Sequence, residues 1–301
     1  MAGSRVFLTG ASGNVGQAVL DELMQRGYDV AALVRSRMPN TKGYRPIIGD
    51  LSRIQDIASG LVDITAIIHC ASPRSAARQG VINTDIEGTA QLLNAWHTGP
   101  FIYTSSQTVY GIPTKTLNED CPLSAGSWYD LGKICNEQQV SMVAEQSGAG
   151  PGVSLRLPLV FATGARRRDR QFLPGVWDAL RTGQPILFGS EEALETAGSV
   201  FIGEKDLGRA VVDALAITQS GPFNLAGGFT TWKSLLEILS RHGGHQPKYV
   251  FRGGAIARPD EFRLPQSRSM YDCSRFTRAT GFQPRQPLDE IVAQFIRTEI
   301  K

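Results

Sequence analysis

The segment from Arg5 to Gly16, RVFLTGASGNVG, constrains the fold more than any other part of the chain. An apolar run ends in glycines at Gly10, Gly13 and Gly16. Val15, Val19, Leu20 and Leu23 then keep helical spacing, and Gly27 stands where a helix C-terminus favours it. The pattern predicts strand, tight turn and helix. Glycine permits such a turn and a close backbone approach, and a helix N-terminus offers free N–H groups and a positive dipole to a pyrophosphate. The loop residues Gly10, Ser12, Gly13, Asn14, Val15 and Gly16 are therefore expected to bind a dinucleotide rather than to make a purely structural turn.

Further apolar runs bounded by turn residues follow: Val30 to Val34, Ile47-Ile48, Ala66 to Ile68, Phe101 to Tyr103 and Val153 to Leu157. Short continuous runs of this kind are typical of buried parallel strands, and strand-helix-strand repetition predicts an α/β fold with a doubly wound, Rossmann-type parallel sheet. After Gly164 the pattern changes to a basic loop (Arg166, Arg167, Arg168, Arg170), a helix from Leu173 to Leu180 and a strand from Ile186 to Phe188. The expected organisation is a dinucleotide-binding domain over 1–160 and a smaller, mainly substrate-binding α/β lobe over 161–301, with about 200–225 returning to the main sheet.

Composition excludes several classes of function. The 301 residues, 42% hydrophobic, carry a formal charge of +3 from 31 basic and 28 acidic side chains, with no long basic run interleaved with aromatics, so nucleic acid is not an expected partner. Cys70, Cys121, Cys135 and Cys273 show no paired spacing that would suggest zinc or a disulfide framework. No metal is expected, and a reducing cytoplasm fits. The start MAGSRVFLTG has neither a signal-peptide layout nor an apolar span long enough for a membrane.

The second strand ends in ALVRSR, where an acidic residue would hold the adenine ribose hydroxyls of NAD. Arg35, with Arg37, suits a 2′-phosphate instead, so NADP is favoured over NAD. Asp50 and Leu51, after the third strand, are expected near the adenine. His69, ending a buried strand, is read as a packed, hydrogen-bonded histidine and not as a catalytic one.

FIYTSSQTVYG puts Ser105 and Ser106 at the carboxyl end of the fifth strand, the edge where open parallel sheets bind ligands. Downstream, WYDLGKICNE sets Tyr129 and Lys133 one above the other on a helix. With T-G-x-x-G-x-x-G, S-S-x-x-V-Y-G and Y-x-x-x-K in this order, the chain resembles the extended short-chain dehydrogenase/reductase family, NAD-dependent epimerase/dehydratase-like. The later segments SVFIGEKDLGRA, FNLAGG and DCSRFTRATGFQP also look like that family, so the resemblance covers nearly the whole chain.

The resemblance implies Ser106, Tyr129 and Lys133 as catalytic residues, with Ser105 as the fallback for Ser106. It implies a cofactor site of the glycine loop, Arg35, Asp50, Leu51, Ala71, Thr104, Tyr129, Lys133, Leu157 and Leu159, and a substrate site including Ser106, Gln107 and Arg258. The chemistry follows from the side chains. A phenol ionises near pH 10, and adjacent positive charge stabilises its phenolate, so Tyr129 beside Lys133 can exchange a proton with a carbonyl oxygen.

Departures from the family pattern narrow the activity. Gln107 and Thr108 stand where the family's sugar dehydratases carry an Asp-Glu pair, and neither titrates usefully, which disfavours dehydration. Arg156 is followed by Leu159 where nucleotide-sugar members place Asn, although Arg258 in ARPDEFR resembles their diphosphate-clasping arginine. The expected function is an NADP(H)-dependent oxidoreductase acting on a carbonyl or secondary alcohol of a small molecule, with a nucleotide-linked substrate left open. A nucleotide-sugar epimerase with tightly held NAD and a non-catalytic NADP-binding regulator are the alternatives. The resemblance also implies a homodimer through the Val81–Trp96 and Tyr129–Ala144 helices. Asp85 stands where the family often has Asn.

Overall fold

The computed structural model describes residues 4–36, 38–73, 77–112, 115–163, 172–254 and 256–300. Strand β1 (Arg5–Thr9) leads into helix α1 (Asn14–Gln25), then β2 (Asp29–Val34), β3 (Arg45–Ile48), the single turn α2 (Ile54–Ile57) and β4 (Ala66–His69). A helical run follows: α3 (Arg78–Gly80), a π-helical stretch Val81–Ile86 and α4 (Glu87–Asn94). Next come β5 (Phe101–Ser106), the long α5 (Trp128–Ser147), β6 (Gly152–Leu157) and β7 (Leu159–Phe161). The remainder comprises α6 (Phe172–Arg181), β8 (Ile186–Phe188), α7 (Glu191–Thr196), β9 (Gly198–Gly203), α8 (Glu204–Asp213), β10 (Gly221–Asn224), β11 (Gly228–Thr231) and α9 (Trp232–Gly243). It closes with β12 (Tyr249–Phe251), β13 (Phe262–Arg263), β14 (Arg268–Ser269), α10 (Ser274–Thr280) and α11 (Leu288–Glu299).

Seven strands form one parallel sheet in the order β10-β6-β5-β4-β1-β2-β3. Both faces are covered, and the strands are apolar on both sides for that reason. Val6, Leu8, Ala32, Ile68 and Ile102 pack with α1, α8 and α10 on one face. Their neighbours Phe7, Ala31, Ile67, Phe101 and Tyr103 pack with α4 and α5 on the other. Order reverses beside β1, so the carboxyl ends of β1 and β4 flank the crevice in which such sheets hold ligands. Gly10 is left-handed at φ +72°, and a Cβ there would meet the Cys70-Ala71 backbone at 2.5 Å, so the loop after β4 passes directly over the glycine turn.

The remaining strands make two small sheets, β11-β9-β14 with β7 on β9, and β12-β8-β13. They enclose a separate core of Phe161, Leu173, Trp177, Phe188, Trp232, Leu235, Ile291 and Phe295. Among the described residues no helix is long and apolar enough to cross a membrane.

Candidate active site

The glycine turn is built to leave main-chain N–H groups available. Gly13 N–H bonds to the Gly10 carbonyl at 2.9 Å, and the first helical bond of α1 runs from Gln17 to Gly13, also at 2.9 Å. The N–H groups of Asn14, Val15 and Gly16 thus have no intrahelical acceptors, and no acidic side chain stands in this first turn. A Cβ at Gly16 would lie 2.2 Å from the Gly10 carbonyl oxygen, so any side chain there forces the turn open. An anionic pyrophosphate fits this cradle.

At the end of β2, Arg35 is exposed and its guanidinium meets Asp50 Oδ2 at 3.4 Å, the side chains being 48% and 31% exposed. Asp50 also accepts the Ser52 N–H at 3.0 Å. Partial burial acts to raise its carboxyl, but the Ser52 bonds and Arg35 outweigh that and hold it below the ordinary value. Leu51 is buried against Gly88. The expected second arginine, Arg37, lies outside the described residues.

At the carboxyl edge of the sheet, β5 carries Ser106, and α5 carries Tyr129 and Lys133. Lys133 is 2% exposed and Nζ donates to the Thr104 carbonyl at 3.1 Å. The same nitrogen lies 5.5 Å from the centre of the Tyr129 ring and 4.8 Å from that of Tyr103. Burial acts to lower the ammonium, yet Tyr103, Asp85 and Tyr129 around it raise it above the ordinary value, so Lys133 is a cation at neutral pH.

Ser106 and Ser105 face opposite ways, as adjacent strand residues must. Ser105 is buried and donates to Glu137 Oε1 at 2.5 Å, within the buried ion pair of Glu137 and Arg156. It is committed to structure. Ser106 is partly exposed, accepts the Thr108 N–H at 3.2 Å and meets Thr108 Oγ1 at 2.9 Å. Thr108 in turn donates to Asp130 Oδ1 at 2.5 Å, which makes Ser106 the donor to Thr108. Asp130 is fixed by the α5 N-terminus, where Ser127 caps the Asp130 N–H and its hydroxyl donates back to Asp130 Oδ2 at 2.7 Å. A hydrogen-bonded chain thus ties Ser106 to the first turn of α5, one residue beyond Tyr129.

Supporting residues lie around this trio. Thr104 Oγ1 donates to the His69 carbonyl at 3.1 Å, and Ala71 N–H to Thr9 Oγ1 at 3.2 Å. His69 sits between Thr9 at 2.6 Å and Thr89 at 2.9 Å, and burial together with Lys133 lowers it to about 3, so it is a neutral core residue. Leu157 pairs in register with Ser106, and Leu159 starts β7. Gln107 is buried with its amide donating to the Leu225 carbonyl at 2.9 Å, which braces the turn after β10. Arg258 is exposed, and its N–H bonds to Glu261 Oε2 at 2.9 Å. The basic cluster Arg166, Arg167, Arg168 and Arg170 lies outside the described residues. Phe161, Leu173 and Trp177 are interior to the lobe.

Sequence reasoning assigned no role to Asp130, Glu137 or Asn136. The S-x-x-D spacing of Ser127 and Asp130 was a readable capping signal, whereas Glu137 finds its partners only through the fold. The NAD dependent epimerase/dehydratase family matches residues 6–224. The chain belongs to that family.

The chain is 29% identical over 189 residues to a sterol-4-alpha-carboxylate 3-dehydrogenase, decarboxylating, of Dictyostelium discoideum, covering 57% of each. It is 30% identical over 191 residues to a 4-hydroxy-2-methyl-3-oxo-4-farnesyl-3,4-dihydroquinoline-1-oxide ketoreductase of Stigmatella aurantiaca, covering 59% of this chain and 55% of that one. The matched region thus spans little more than half of these relatives. The fold also matches a UDP-glucose-4-epimerase from Stenotrophomonas maltophila with bound NAD, at a TM-score of 0.81 and 19% identity, covering 99% of this chain and 98% of that one.

Proposed function

We propose that the chain is an NADP(H)-dependent oxidoreductase that interconverts a carbonyl compound and its secondary alcohol. The observation that carries this reading is Lys133 Nζ 5.5 Å from the Tyr129 ring on α5, with Ser106 of β5 tied through Thr108 to Asp130 in the first turn of the same helix. When bound, a nicotinamide dinucleotide would supply the two-electron exchange with the reacting carbon. Asn14, Val15 and Gly16 would hold its pyrophosphate through their N–H groups. Thr104, Ala71, Leu157 and Leu159 flank the nicotinamide side of the crevice, and Asp50 and Leu51 the adenine side.

Tyr129 passes the proton to the substrate oxygen in reduction and takes it back in oxidation. The Lys133 cation, its Nζ 5.5 Å from the centre of the Tyr129 ring, stands beside this exchange. Ser106 turns its hydroxyl from Thr108 to the same oxygen as negative charge develops there. Relatives named as a sterol dehydrogenase and a ketoreductase support net redox chemistry over epimerisation.

Arg35 selects NADP in this reading. An exposed ion pair such as Arg35–Asp50 contributes about 0–1 kcal/mol, so a 2′-phosphate can recruit the guanidinium at little cost. The small lobe closes the site from the C-terminal side and faces the substrate, with Arg258 as the contact if the substrate carries a diphosphate. Exposed Trp128, Leu131 and Met142 on α5 would cover one another in a homodimer. The four free thiols suit a reducing cytoplasm.

Calorimetric titration of NADP(H) and NAD(H) in parallel, into protein free of nicotinamide, tests the assignment. Tight NADPH with weak NADH supports it. Tight or copurifying NAD sinks the Arg35 argument and leaves epimerisation by the same trio. Tyr129→Phe separates both from a cofactor-sensing regulator, because an enzyme loses turnover while still binding cofactor.

A further inference from the structure

A hydroxyl has one hydrogen to give and two lone pairs with which to receive, so a row of hydroxyls takes its direction from the group at its end. The row that leaves Ser106 ends on Asp130, which is 7% exposed and stands in the first turn of α5. Asp130 Oδ1 receives the Thr108 hydroxyl at 2.5 Å, and Oδ2 receives the Ser127 hydroxyl at 2.7 Å. Hydroxyls that donate to an ionised oxygen sit at roughly 2.5–2.7 Å, and a carboxylate has no hydrogen to return.

Thr108 has thereby spent its only hydroxyl hydrogen, and it accepts from Ser106 Oγ at 2.9 Å. Ser106 gives its own hydrogen to Thr108 and one lone pair to the Thr108 N–H at 3.2 Å, the bond with which it caps the turn Gln107–Tyr110. What the partly exposed Ser106 Oγ still has to offer is a lone pair. A secondary alcohol brings a hydrogen to that lone pair. A ketone oxygen brings only lone pairs, and Ser106 donates to it only by giving up the bond to Thr108.

We propose that Asp130 is a positioning residue that sets the direction of hydrogen bonding at Ser106, so that the free site matches the alcohol form of its substrate rather than the ketone. The match to substrate rests on the reading of Ser106 as the contact of the reacting oxygen. In Asp130→Ala the Thr108 hydroxyl loses its acceptor and turns to Ser106. Ser106 then receives from Thr108, and its own hydrogen is released toward the site.

Neutron diffraction from cofactor-free wild type and D130A, crystallised in heavy water, reads the deuterons directly, with D2O as the probe of the site. In the wild type they are expected to run from Ser106 to Thr108 to Asp130, and D2O at Ser106 should give a deuteron to Oγ. In D130A the Thr108 deuteron should lie toward Ser106, and the Ser106 deuteron toward the site. Thr108 donating to Ser106 in the wild type overturns the proposal, and so does an unchanged direction in D130A. If D130A does not fold, the wild-type map decides alone. A purely structural Asp130 would lower the Tm of D130A and leave the Ser106 and Thr108 deuterons as they were. With a ketone and its alcohol as substrates, the ratio of ketone KM to alcohol KM should fall about tenfold in D130A, whereas general loss of structure raises both alike. Absence of turnover with any carbonyl compound would overturn the functional reading, and the neutron maps, which need no turnover, would still decide the direction at Ser106.

Discussion

Replacing Arg156 by Met should destabilise the fold beneath the site. Arg156 Nη2 meets Glu137 Oε2 at 2.7 Å, and the two side chains are 4% and 5% exposed. The guanidinium also donates to the Tyr110 hydroxyl at 2.6 Å and the Glu119 carbonyl at 3.2 Å. Met fills similar volume, so the loss is electrostatic: Glu137 keeps only the Ser105 hydroxyl among these partners. Removing one member of a buried pair costs about 3–5 kcal/mol, because the other charge stays in a dry environment.

For a chain of this size that loss corresponds to a fall in Tm of roughly 5–8 °C, read by scanning calorimetry. Arg156→Met with Glu137→Met removes both charges and should recover most of the loss, since apolar replacement of a whole buried pair is often neutral. A single-variant cost below about 1 kcal/mol, within the range of an exposed pair, would refute the reasoning. So would a double variant in which the two costs simply add.

Arg35→Ala should weaken NADP(H) by about 10- to 100-fold, the range of a lost charge-assisted bond, and leave NAD(H) nearly unchanged in the same calorimeter. Thr108→Val breaks the chain from Ser106 to Asp130; kcat with a carbonyl substrate should fall by roughly 10- to 100-fold while cofactor affinity is retained. His69, at about 3 when folded against an ordinary 6.5, takes up its proton only on unfolding between those values. Its contribution is complete above pH 6.5 and is lost as pH falls toward 3, at a slope of at most about 1.4 kcal/mol per pH unit. Denaturant midpoints measured across that window should show the slope in the wild type and lose it in His69→Gln.

Much of the site was legible because its signals are local. Glycines at three-residue intervals after an apolar run can hardly mean anything but strand, tight turn and helix, and the turn after β1 forms in just that way. Tyr129 and Lys133 needed only helical spacing. The choice between Ser105 and Ser106 was not local. Period-two alternation says that they oppose each other, but which one turns inward depends on Glu137, 32 residues away, and its partner Arg156. Gln107 was expected to face substrate, and only the fold shows that its amide N–H donates to the Leu225 carbonyl, 118 residues on.

The sequence alone therefore determined the parallel α/β architecture, the glycine turn and the order of the three motifs, since each rests on spacing within one element or between neighbouring ones. Only the tertiary structure decided the charge environment. Asp85 and Lys133 lie 48 positions apart in the chain, and nothing local to either residue specifies that both are buried together. Burial and the distance between charges are properties of the packed molecule, and they fix what an ionisable group does.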